Sequence, residues 1–351
     1  MTDSIPRYFV RQMDIKSLKQ EELKILIKDM GEPAFRAGQI YEWMHVKLVS
    51  DYDEMTNLSK ALRQRLKEEY PLTVLLKEDM QESAQDGTRK YLFRLPDGNM
   101  VESVFMRYKH GNSVCISSQV GCRMGCRFCA STIDGLVRSL TASEMLEQIY
   151  SVIRDTGERV SNVVVMGIGE PMDNYDNIVR FYRLLTDEKG YNLSGRNVTI
   201  STCGIVPGIY KLADEGLSLT LALSLHAPTD EKRRTIMPIA NEYSISELIE
   251  ACTYYFEKTG RRITLEYSLI AGVNDSLEDA EDLGRIAKKL GAHINLIPVN
   301  SVKERDYKRG TKEAIEAFKN KLEKNANNVT IRREMGQDID GACGQLRRKY
   351  L

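Results

Sequence analysis

The sequence contains no long apolar run, no excess of charge of either sign and no dense pattern of paired cysteines. No unbroken apolar stretch reaches the roughly eighteen residues that a membrane-spanning helix needs. Lysine plus arginine equals aspartate plus glutamate at 50 residues each. The net charge is therefore too small to produce an electrostatic field that attracts nucleic acid to the molecule as a whole. A local basic face could still bind RNA. The first residues lack the basic and then apolar layout of a signal peptide, which predicts a cytoplasmic protein without a membrane partner.

The composition excludes a disordered or collagen-like chain. Of the 351 residues, 42% are hydrophobic and 28% are charged, which is typical of a globular protein. A chain of this length is expected to form one large domain with a smaller one beside it. The seven cysteines are odd in number and show no framework spacing, so disulfides are not expected to hold the fold. Three of them crowd together in one short loop, which indicates metal or redox chemistry.

The N-terminal third of the chain divides into two predicted parts. Residues 1–72 are predicted to form a small helical accessory domain, because charged stretches carry apolar residues along one face. The predicted helices cover Leu18–Met30, Phe35–Val46 and Leu58–Tyr70. Residues 73–107 predict a β-hairpin extension, because turn signals around Asp86-Gly87 and Asp97-Gly98 flank an alternating stretch at Lys90–Leu95.

Residues 108–351 alternate between strand and helix patterns. The predicted strands are Val114–Ser117, Asn162–Met166, Asn197–Ser201, Leu217–Leu223, Arg262–Tyr267, His293–Pro298 and Val329–Arg332. The helices between them are Met145–Arg154, Ile178–Leu185, Ile209–Ala213, Leu248–Glu257, Leu277–Leu290 and Lys312–Lys324. Capping boxes at Thr141–Glu144 and Ser244–Glu247 open two of these helices. This alternation predicts an α/β fold with a parallel sheet and helical crossovers, either open or curled into a barrel.

The strongest chemical signal is the loop Gly121–Ala130, in which Cys122, Cys126 and Cys129 have the spacing C-x-x-x-C-x-x-C. Soft thiolates on a tight loop select zinc or an iron–sulfur cluster. A structural zinc site normally takes four protein ligands, and no nearby cysteine or histidine has the spacing to supply the fourth. Three ligands on a four-iron cluster would leave one iron open to a small molecule. The alternative is a chance trio of buried cysteines.

This loop resembles the cluster motif of the radical S-adenosylmethionine (radical SAM) superfamily. The resemblance implies that Cys122, Cys126 and Cys129 ligate a [4Fe–4S] cluster whose open iron chelates S-adenosylmethionine. In that superfamily the reduced cluster splits the sulfonium to give a 5′-deoxyadenosyl radical. The superfamily fold is a partial (β/α)6 barrel, similar to the eight-unit TIM barrel, and the alternation of strands and helices fits it independently.

Further cofactor contacts are expected at strand ends, where barrel enzymes place their chemistry. The second strand ends at Gly169-Glu170, which resembles the superfamily's glycine–glutamate element for the methionyl ammonium. It is not a dinucleotide loop, because Met172 occupies the third glycine position, but a plain turn remains possible. Other strand ends offer hydrogen-bonding groups that are expected to contact S-adenosylmethionine. These are Ser201, Ser224, Leu225, His226 and Asn300.

Two cysteines outside the loop indicate which family within the superfamily the sequence resembles. Cys115 lies seven residues before Cys122, and Cys343 lies in a glycine-containing segment near the end of the chain. With these residues, the sequence closely resembles the RlmN family of dual-specificity RNA adenine carbon-2 methyltransferases over nearly its whole length. The sister family Cfr, which methylates carbon 8 of adenosine, shares these cysteines. Pro171 after Gly169-Glu170 favours RlmN.

The RlmN resemblance implies a role for each sulfur. Cys343 is first methylated by one S-adenosylmethionine, and a second one supplies the radical that takes hydrogen from the new S-methyl group. The carbon radical adds to adenine carbon 2, and Cys115 releases the product through a transient disulfide with Cys343. Glu102 matches the family's proton acceptor, although alone it is typical of a surface carboxylate on a strand. Cys203 and Cys252 are expected to be inert buried thiols.

The same resemblance implies the partners. These are 23S rRNA and tRNA as substrates and an electron donor such as flavodoxin or ferredoxin, with the protein acting as a monomer. The first 72 residues resemble the family's helix-hairpin-helix-like RNA-binding extension, although their basic residues are also typical of a solvated face. Phosphates could be held by basic residues near Cys343, namely Arg332, Arg333, Arg347, Arg348 and Lys349. An iron–sulfur or zinc-binding RNA module without catalysis is the alternative from another class.

Overall fold

The helical N-terminal part has the predicted helices. The computed structural model describes residues 13–300, 304–340 and 343–350. In its first part the helices are α1 (Gln20–Asp29), α2 (Phe35–His45) and α3 (Lys60–Glu69). Ser59 caps α3, because its hydroxyl oxygen accepts a hydrogen bond from the amide of Leu62 at 3.2 Å. Leu23, Leu26 and Ile27 of α1 and Ile40 of α2 belong to one apolar core with the rest of the molecule.

The extension at residues 73–107 is continuous with the main sheet. Its strands are β1 (Leu76–Glu82), β2 (Arg89–Arg94) and β3 (Met100–Tyr108), which pair antiparallel in chain order. β3 also pairs antiparallel with β4 (Gly111–Ile116), and this register sets Val104 opposite Cys115. The extension is therefore a rigid neighbour of the strand that carries Cys115.

Beyond β4, the strands of the main sheet run parallel. In chain order they are β7 (Val160–Val165), β8 (Val198–Thr202), β9 (Thr220–Ser224), β10 (Thr264–Leu269), β11 (His293–Pro298) and β12 (Asn328–Ile331). Within the described ranges, β4 and these strands make six parallel pairs, each between neighbours in chain order. Each crossover has the same hand and leads to the next strand along the sheet. The helices therefore lie on one face of the sheet, and the sheet curls. The predicted α/β class and partial (β/α)6 barrel are confirmed.

Six of the helices between the parallel strands lie close to their predicted positions, and a seventh, Asp230–Ile236, was not predicted. They are α4 (Ala142–Thr156), α5 (Tyr175–Leu185), α6 (Val206–Asp214), α7 (Asp230–Ile236), α8 (Ile245–Thr259), α9 (Leu277–Leu290) and α10 (Lys312–Lys324). Both predicted capping boxes are present, at the first turns of α4 and α8. A short helix, α11 (Gln345–Arg348), follows Cys343. Within the described ranges, no helix combines the length and the apolar character that crossing a bilayer requires.

A small hairpin that the sequence did not predict frames the cysteine loop. It consists of β5 (Gln119–Gly121) and β6 (Leu136–Ser139), paired antiparallel. Gly121 has φ +76°, and a Cβ there would overlap the carbonyl oxygen of Gly135. The close approach of the two strands therefore requires glycine at this position.

The helical N-terminal part is fixed to the barrel by buried charges. The Lys16 ammonium lies 2.8 Å from a carboxylate oxygen of Glu147 on α4, and both side chains are fully buried. Lys16 also donates a hydrogen bond to the carbonyl of Thr73 at 2.8 Å. Arg180 on α5 pairs with Glu22 on α1 at 2.7 Å. The helical part therefore contacts the barrel through α4 and α5.

Candidate active site

The three loop cysteines are held in place by backbone hydrogen bonds. Cys122 follows β5, and its amide donates to the carbonyl of Gly135 at 2.9 Å. The amide of Cys129 donates to the carbonyl of Cys126 at 3.1 Å, and Arg127 is bonded through its amide to the carbonyl of Ile236 on α7 at 2.8 Å. The loop is thus fastened both to the β5–β6 hairpin and to the barrel.

These cysteines line a cavity of about 260 Å³ at the carboxyl ends of the parallel strands. Five of the seven predicted cofactor residues also line it, namely Gly169, Glu170, Ser201, Ser224 and His226. Leu225 does not: it is buried behind the wall, and its carbonyl accepts a hydrogen bond from Arg233 at 3.1 Å. Asn300 is exposed and lines a neighbouring cavity instead. The strand ends thus bring most of the predicted residues to one cavity, as parallel strands in a barrel should.

The donor set of the cavity fits an iron–sulfur cluster better than a single zinc ion. Among the described residues, no three cysteine, histidine or carboxylate side chains are close enough together to hold one metal ion. The three thiols surround open space instead, which suits a cluster with several irons. Burial raises the pKa of Cys122 to about 12 and also raises the pKa values of Cys126 and Cys129. Binding of a cationic iron centre would favour the thiolate forms.

Gly169-Glu170 is a structured element rather than a plain turn. Gly169 has φ +112°, and a Cβ there would lie 2.6 Å from the Cβ of Gln119. The Glu170 side chain is 4% exposed, and its carboxylate accepts hydrogen bonds from the amides of Cys203 at 2.8 Å and Met172 at 3.0 Å. Burial raises the pKa of Glu170. The carboxylate is thus held rigidly at the cavity wall, where it could bind an ammonium group.

The remaining strand-end groups supply neutral hydrogen-bonding atoms. The hydroxyl oxygens of Ser201 and Ser224 lie 3.1 Å apart on adjacent strands. His226 accepts a hydrogen bond at Nδ1 from the amide of Ser268 at 2.9 Å, and burial lowers its pKa to about 3. The imidazole is therefore neutral with its proton on Nε2, which makes Nε2 a donor for a ligand.

Cys343 lines this cavity, and Cys115 lies near it on the far side from the cofactor groups. Cys115 is on β4 and is 3% exposed, and the Cys343 sulfur contacts the carbonyl oxygen of Met166 at 3.7 Å. A hydrogen bond joins the two thiols, and it lowers the pKa of Cys343 to about 7 while raising the pKa of Cys115. In this pair Cys343 is therefore the sulfur that more readily becomes a thiolate.

A second cavity, of about 540 Å³, adjoins the first at Cys343. Cys343 and Arg332 line both cavities, whereas Cys115 and Asn300 line only the second. Two further basic residues on the wall of the second cavity are Arg309 and Arg333. The cluster cysteines and the two lone cysteines are thus arranged around adjoining chambers that share one thiol.

Glu102 is not a surface carboxylate, so that interpretation of its sequence context is wrong. It is 3% exposed, and its Oε2 lies 3.0 Å from the ammonium of the fully buried Lys90. Its two carboxylate oxygens also accept hydrogen bonds from the amides of Gly344 and Arg347, each at 2.7 Å. The pleat of β2 and β3 turns Lys90 and Glu102 inward, and sequence alternation alone did not distinguish this face from the solvent face.

Two residues that line the cofactor cavity were not predicted as site residues from the sequence. Cys203 was expected to be inert, but it lines the cofactor cavity one residue beyond β8. Its position after a strand end is the same signal that singled out Ser201. Cys252 lies in the apolar core, away from both cavities. Glu266 also lines the first cavity and is joined to Asn295 by a hydrogen bond of 2.8 Å.

The basic residues considered for RNA differ in their availability. On α3, Arg65 pairs with Glu69 at 2.7 Å and Lys67 pairs with Asp51 at 2.8 Å. Near Cys343, Arg348 pairs with Asp134 at 3.1 Å. Charges already paired within the molecule are less free to meet phosphates, whereas Arg333 is exposed at the mouth of the second cavity.

Comparison with known proteins gives matches over nearly the whole chain. Two family models match, the ribosomal RNA large subunit methyltransferase N-terminal domain over residues 13–71 and the radical SAM superfamily over residues 116–284. A dual-specificity RNA methyltransferase RlmN from Lachnospira eligens is 65% identical over 338 residues, which are 96% of this chain and 97% of that protein. An RlmN from Clostridium perfringens strain 13 is 55% identical over 94% of this chain and 95% of its own length.

The structural comparison agrees with the sequence matches. The crystal structure of a radical SAM methyltransferase from Sphaerobacter thermophilus has a TM-score of 0.91 and 43% sequence identity, covering 95% of this chain and 98% of that one. The radical SAM superfamily uses a [4Fe–4S] cluster and S-adenosylmethionine, and the cavity described above has the thiols and strand-end groups that could hold both. The chain belongs to the RlmN family of S-adenosylmethionine-dependent, radical SAM RNA methyltransferases.

Proposed function

We propose that the protein methylates carbon 2 of adenosine in 23S rRNA near the peptidyl transferase centre, and in tRNA at the adenosine just 3′ of the anticodon. The observation that carries this proposal is the position of Cys343. Its thiol lines both cavities and shares the second one with Cys115. A side chain in this position can receive a group from a cofactor on one side and pass it to a base on the other.

The first step makes use of the Cys343 thiolate. Carbon 2 of adenine is electron-poor and does not attack a sulfonium as an ordinary nucleophile does, so a sulfur atom takes the methyl group first. The Cys343 sulfur forms the new bond to the methyl carbon, the sulfonium bond to that carbon breaks, and S-adenosylhomocysteine leaves. The pKa of about 7 favours this step, because much of the Cys343 thiol is ionised near neutral pH.

Cys343 then serves as the tether between protein and RNA. When bound, the cluster and a second S-adenosylmethionine supply the one-electron chemistry that removes a hydrogen atom from the S-methyl group. The methylene carbon bonds to carbon 2 of adenine. One electron of the adduct would return to the oxidised cluster, and the carbon-2 proton passes to the carboxylate of Glu102, the acceptor that the family resemblance implies. The base is now joined to the Cys343 sulfur through a single methylene.

Cys115 is placed to release the product. Its thiolate attacks the Cys343 sulfur, the carbon–sulfur bond breaks with its electron pair on the methylene carbon, and that carbon takes up a proton to become the methyl group. A Cys115–Cys343 disulfide remains, and a two-electron thiol reductant must reduce it before the next cycle. The position of both thiols on the wall of the second cavity supports this role, because the attack needs the two sulfurs close together.

The proposed reaction also indicates the cellular compartment, the electron donor and the form of the RNA substrate. Reduction of the disulfide requires the thiol reductants of the cytoplasm, where an electron donor such as flavodoxin or ferredoxin would also reduce the cluster. We expect the protein to act as a monomer. The target base must leave its stack to enter the second cavity, so looped or single-stranded RNA is the expected substrate.

The two lone cysteines can be tested separately. Cys115→Ala should still methylate Cys343 and add to RNA, so protein crosslinked to RNA should accumulate. Cys343→Ala should give neither crosslink nor product, and the double variant should behave in the same way. Denaturing electrophoresis with nuclease treatment of any slow band measures this. A crosslink in the double variant, or full turnover by Cys115→Ala, would show that these sulfurs have other roles.

A further inference from the structure

A half-buried arginine lies where the two cavities meet. Arg332 follows β12, and its amide donates a hydrogen bond to the carbonyl of Leu296 on β11 at 2.8 Å, so its backbone continues the sheet. Its side chain lines both cavities, a position that it shares with Cys343 and Ile297. The guanidinium is therefore close to the sulfur that is proposed to carry the methyl group.

The guanidinium of Arg332 has ionisable groups around it but no bonded partner. Burial lowers the pKa of Arg332, but nearby groups outweigh this effect and raise it, so the side chain stays a cation. These groups are chiefly Cys115, Glu266 and Cys343. Among the residues that the structure describes, none forms a hydrogen bond or an ion pair with this guanidinium. Charged groups away from water normally have such partners, so the donors of Arg332 are available to a ligand.

The other two arginines on the wall of the second cavity are placed differently. Arg309 pairs with the carboxylate of Glu334, and Arg333 is exposed at the mouth. Because Arg332 also lines the cofactor cavity, it marks the inner end of the second cavity. This cavity, of about 540 Å³, therefore offers an available cation at its inner end and an exposed one at its mouth.

The chemistry of a nucleobase limits how it can meet these two cations. The sugar and the phosphates stay with the RNA chain at the mouth, so the edge of the base farthest from the sugar enters first. In adenine that edge carries N1, an acceptor bonded directly to carbon 2. In guanine N1 carries a hydrogen and is a donor. A guanidinium has only donors, so it can bond N1 of adenine and would be opposed by N1 of guanine.

We propose that Arg332 is a specificity-determining residue that donates a hydrogen bond to N1 of the target adenine and so holds carbon 2 at the Cys343 sulfur. This inference rests on the proposed function, which brings adenosine into the second cavity. It assigns Arg332 to the base and leaves phosphate contact to Arg333 at the mouth. It also makes one side chain responsible for the rejection of guanine.

The test removes the donor and the acceptor separately and together. Three RNA stem-loops carry adenosine, 1-deazaadenosine or 3-deazaadenosine at the unpaired target position, so that N1 or N3 alone is replaced by C–H. Each RNA is bound to the full-length holoenzyme without added S-adenosylmethionine, and its dissociation constant is measured by fluorescence anisotropy at one salt concentration. The proteins are wild type, Arg332→Met, Arg332→Lys and, as the matched control, Arg333→Met.

The proposal predicts a different pattern for each protein. Wild type should bind the 1-deaza RNA roughly tenfold to a hundredfold more weakly than the adenosine RNA, as expected for loss of a hydrogen bond to a charged group. The 3-deaza RNA should bind like the adenosine RNA. Arg332→Met should bind all three alike, because the donor is already absent, and Arg332→Lys should keep part of the preference. Arg333→Met should weaken all three by one factor and leave the preference intact.

Three results would overturn the proposal. If wild type does not distinguish the 1-deaza from the 3-deaza RNA, N1 is not recognised, and this comparison needs no variant to fold. If Arg332→Met weakens all three RNAs equally and keeps the preference, Arg332 contacts a phosphate instead. If Arg332→Met binds S-adenosylmethionine more weakly and binds the RNAs as wild type does, Arg332 contacts the cofactor instead.

The binding readout also separates this inference from the proposed function, because binding needs no turnover. The losses caused by 1-deazaadenosine and by Arg332→Met could be additive while cells still make 2-methyladenosine. In that case only the inference fails. If the two losses overlap but methylation is mapped to another carbon of adenosine, the contact to N1 stands and only the proposed function fails.

Discussion

At the scale of single residues, the site depends on which sulfurs become thiolates and which stay protonated. Without a metal, burial keeps Cys122, Cys126 and Cys129 protonated by raising their pKa values. Cys343 differs, because the hydrogen bond from Cys115 stabilises its thiolate. One loop thus holds thiols that suit an iron cluster, while a neighbouring pair suits nucleophilic attack and disulfide exchange.

Replacing any one of the three loop cysteines by alanine should remove the cluster. Two thiolates leave two irons of the cluster without a protein ligand, so the cluster should be lost during purification. Iron content and visible absorption after anaerobic reconstitution measure this, and Cys252→Ala, which alters a thiol in the apolar core, is the control. A single variant that retains wild-type iron would remove that residue from the set of ligands.

The methylation of Cys343 should depend on pH through its thiolate. The pKa of about 7 is below that of an ordinary thiol. The reactive form is the deprotonated one, so the rate should be near its plateau above pH 8 and should fall by about tenfold per pH unit well below pH 7. Single-turnover methylation followed by mass spectrometry gives this profile. A rate that still rises steeply above pH 8 would contradict a lowered pKa.

Among single residues, the sequence was sufficient to predict the cysteine site, but it was not sufficient to predict that Glu102 is buried. The spacing of the loop cysteines and the strand-end positions of Ser201 and His226 are local features. They can be recognised in the sequence without knowing the tertiary structure. The burial of Glu102 is not local, because its partners Gly344 and Arg347 are more than two hundred residues away in the chain. No alternation within β3 could reveal that the far end of the protein would cover this strand.

At the scale of secondary-structure elements, the position of the site is set by the carboxyl ends of the parallel strands, where its residues lie together. Capping residues and apolar periodicity are local signals, and they were enough to predict six of the seven crossover helices but not α7. The β5–β6 hairpin was not predicted, because its strands are short and its pairing depends on close backbone approach at Gly121. This hairpin nevertheless holds the cysteine loop, through the bond from the Cys122 amide to Gly135.

Gly121→Ala should destabilise the protein more than Gly135→Ala. Both glycines have positive φ, so each alanine incurs roughly 1–2 kcal/mol of backbone strain. Only at Gly121 does the added Cβ also overlap a backbone carbonyl, whereas at Gly135 nothing lies within 4 Å. Denaturant unfolding should show the larger loss of unfolding free energy for Gly121→Ala, with weaker iron retention. Equal losses would show that the close approach of the two strands does not matter.

At the scale of the whole molecule, the helical N-terminal part, the extension and the barrel meet in one apolar core. The fully buried pair of Lys16 and Glu147 joins segments 131 residues apart. Such long-range partners are the part of the fold that the sequence could not predict, since nothing near Lys16 indicates which carboxylate will meet it. The order of strands in the barrel was predictable, because crossovers of one hand leave few arrangements.

We infer that this fold delivers a methyl group from Cys343 to carbon 2 of adenosine. The most direct test is mass spectrometry with position mapping of methyladenosine in 23S rRNA and tRNA, from cells with the protein, without it, and with Cys343→Ala. We expect 2-methyladenosine near the peptidyl transferase centre and just 3′ of the anticodon, only in cells with the wild-type protein. Methylation mainly at carbon 8, methylation of another base, or 2-methyladenosine that persists with Cys343→Ala would contradict it.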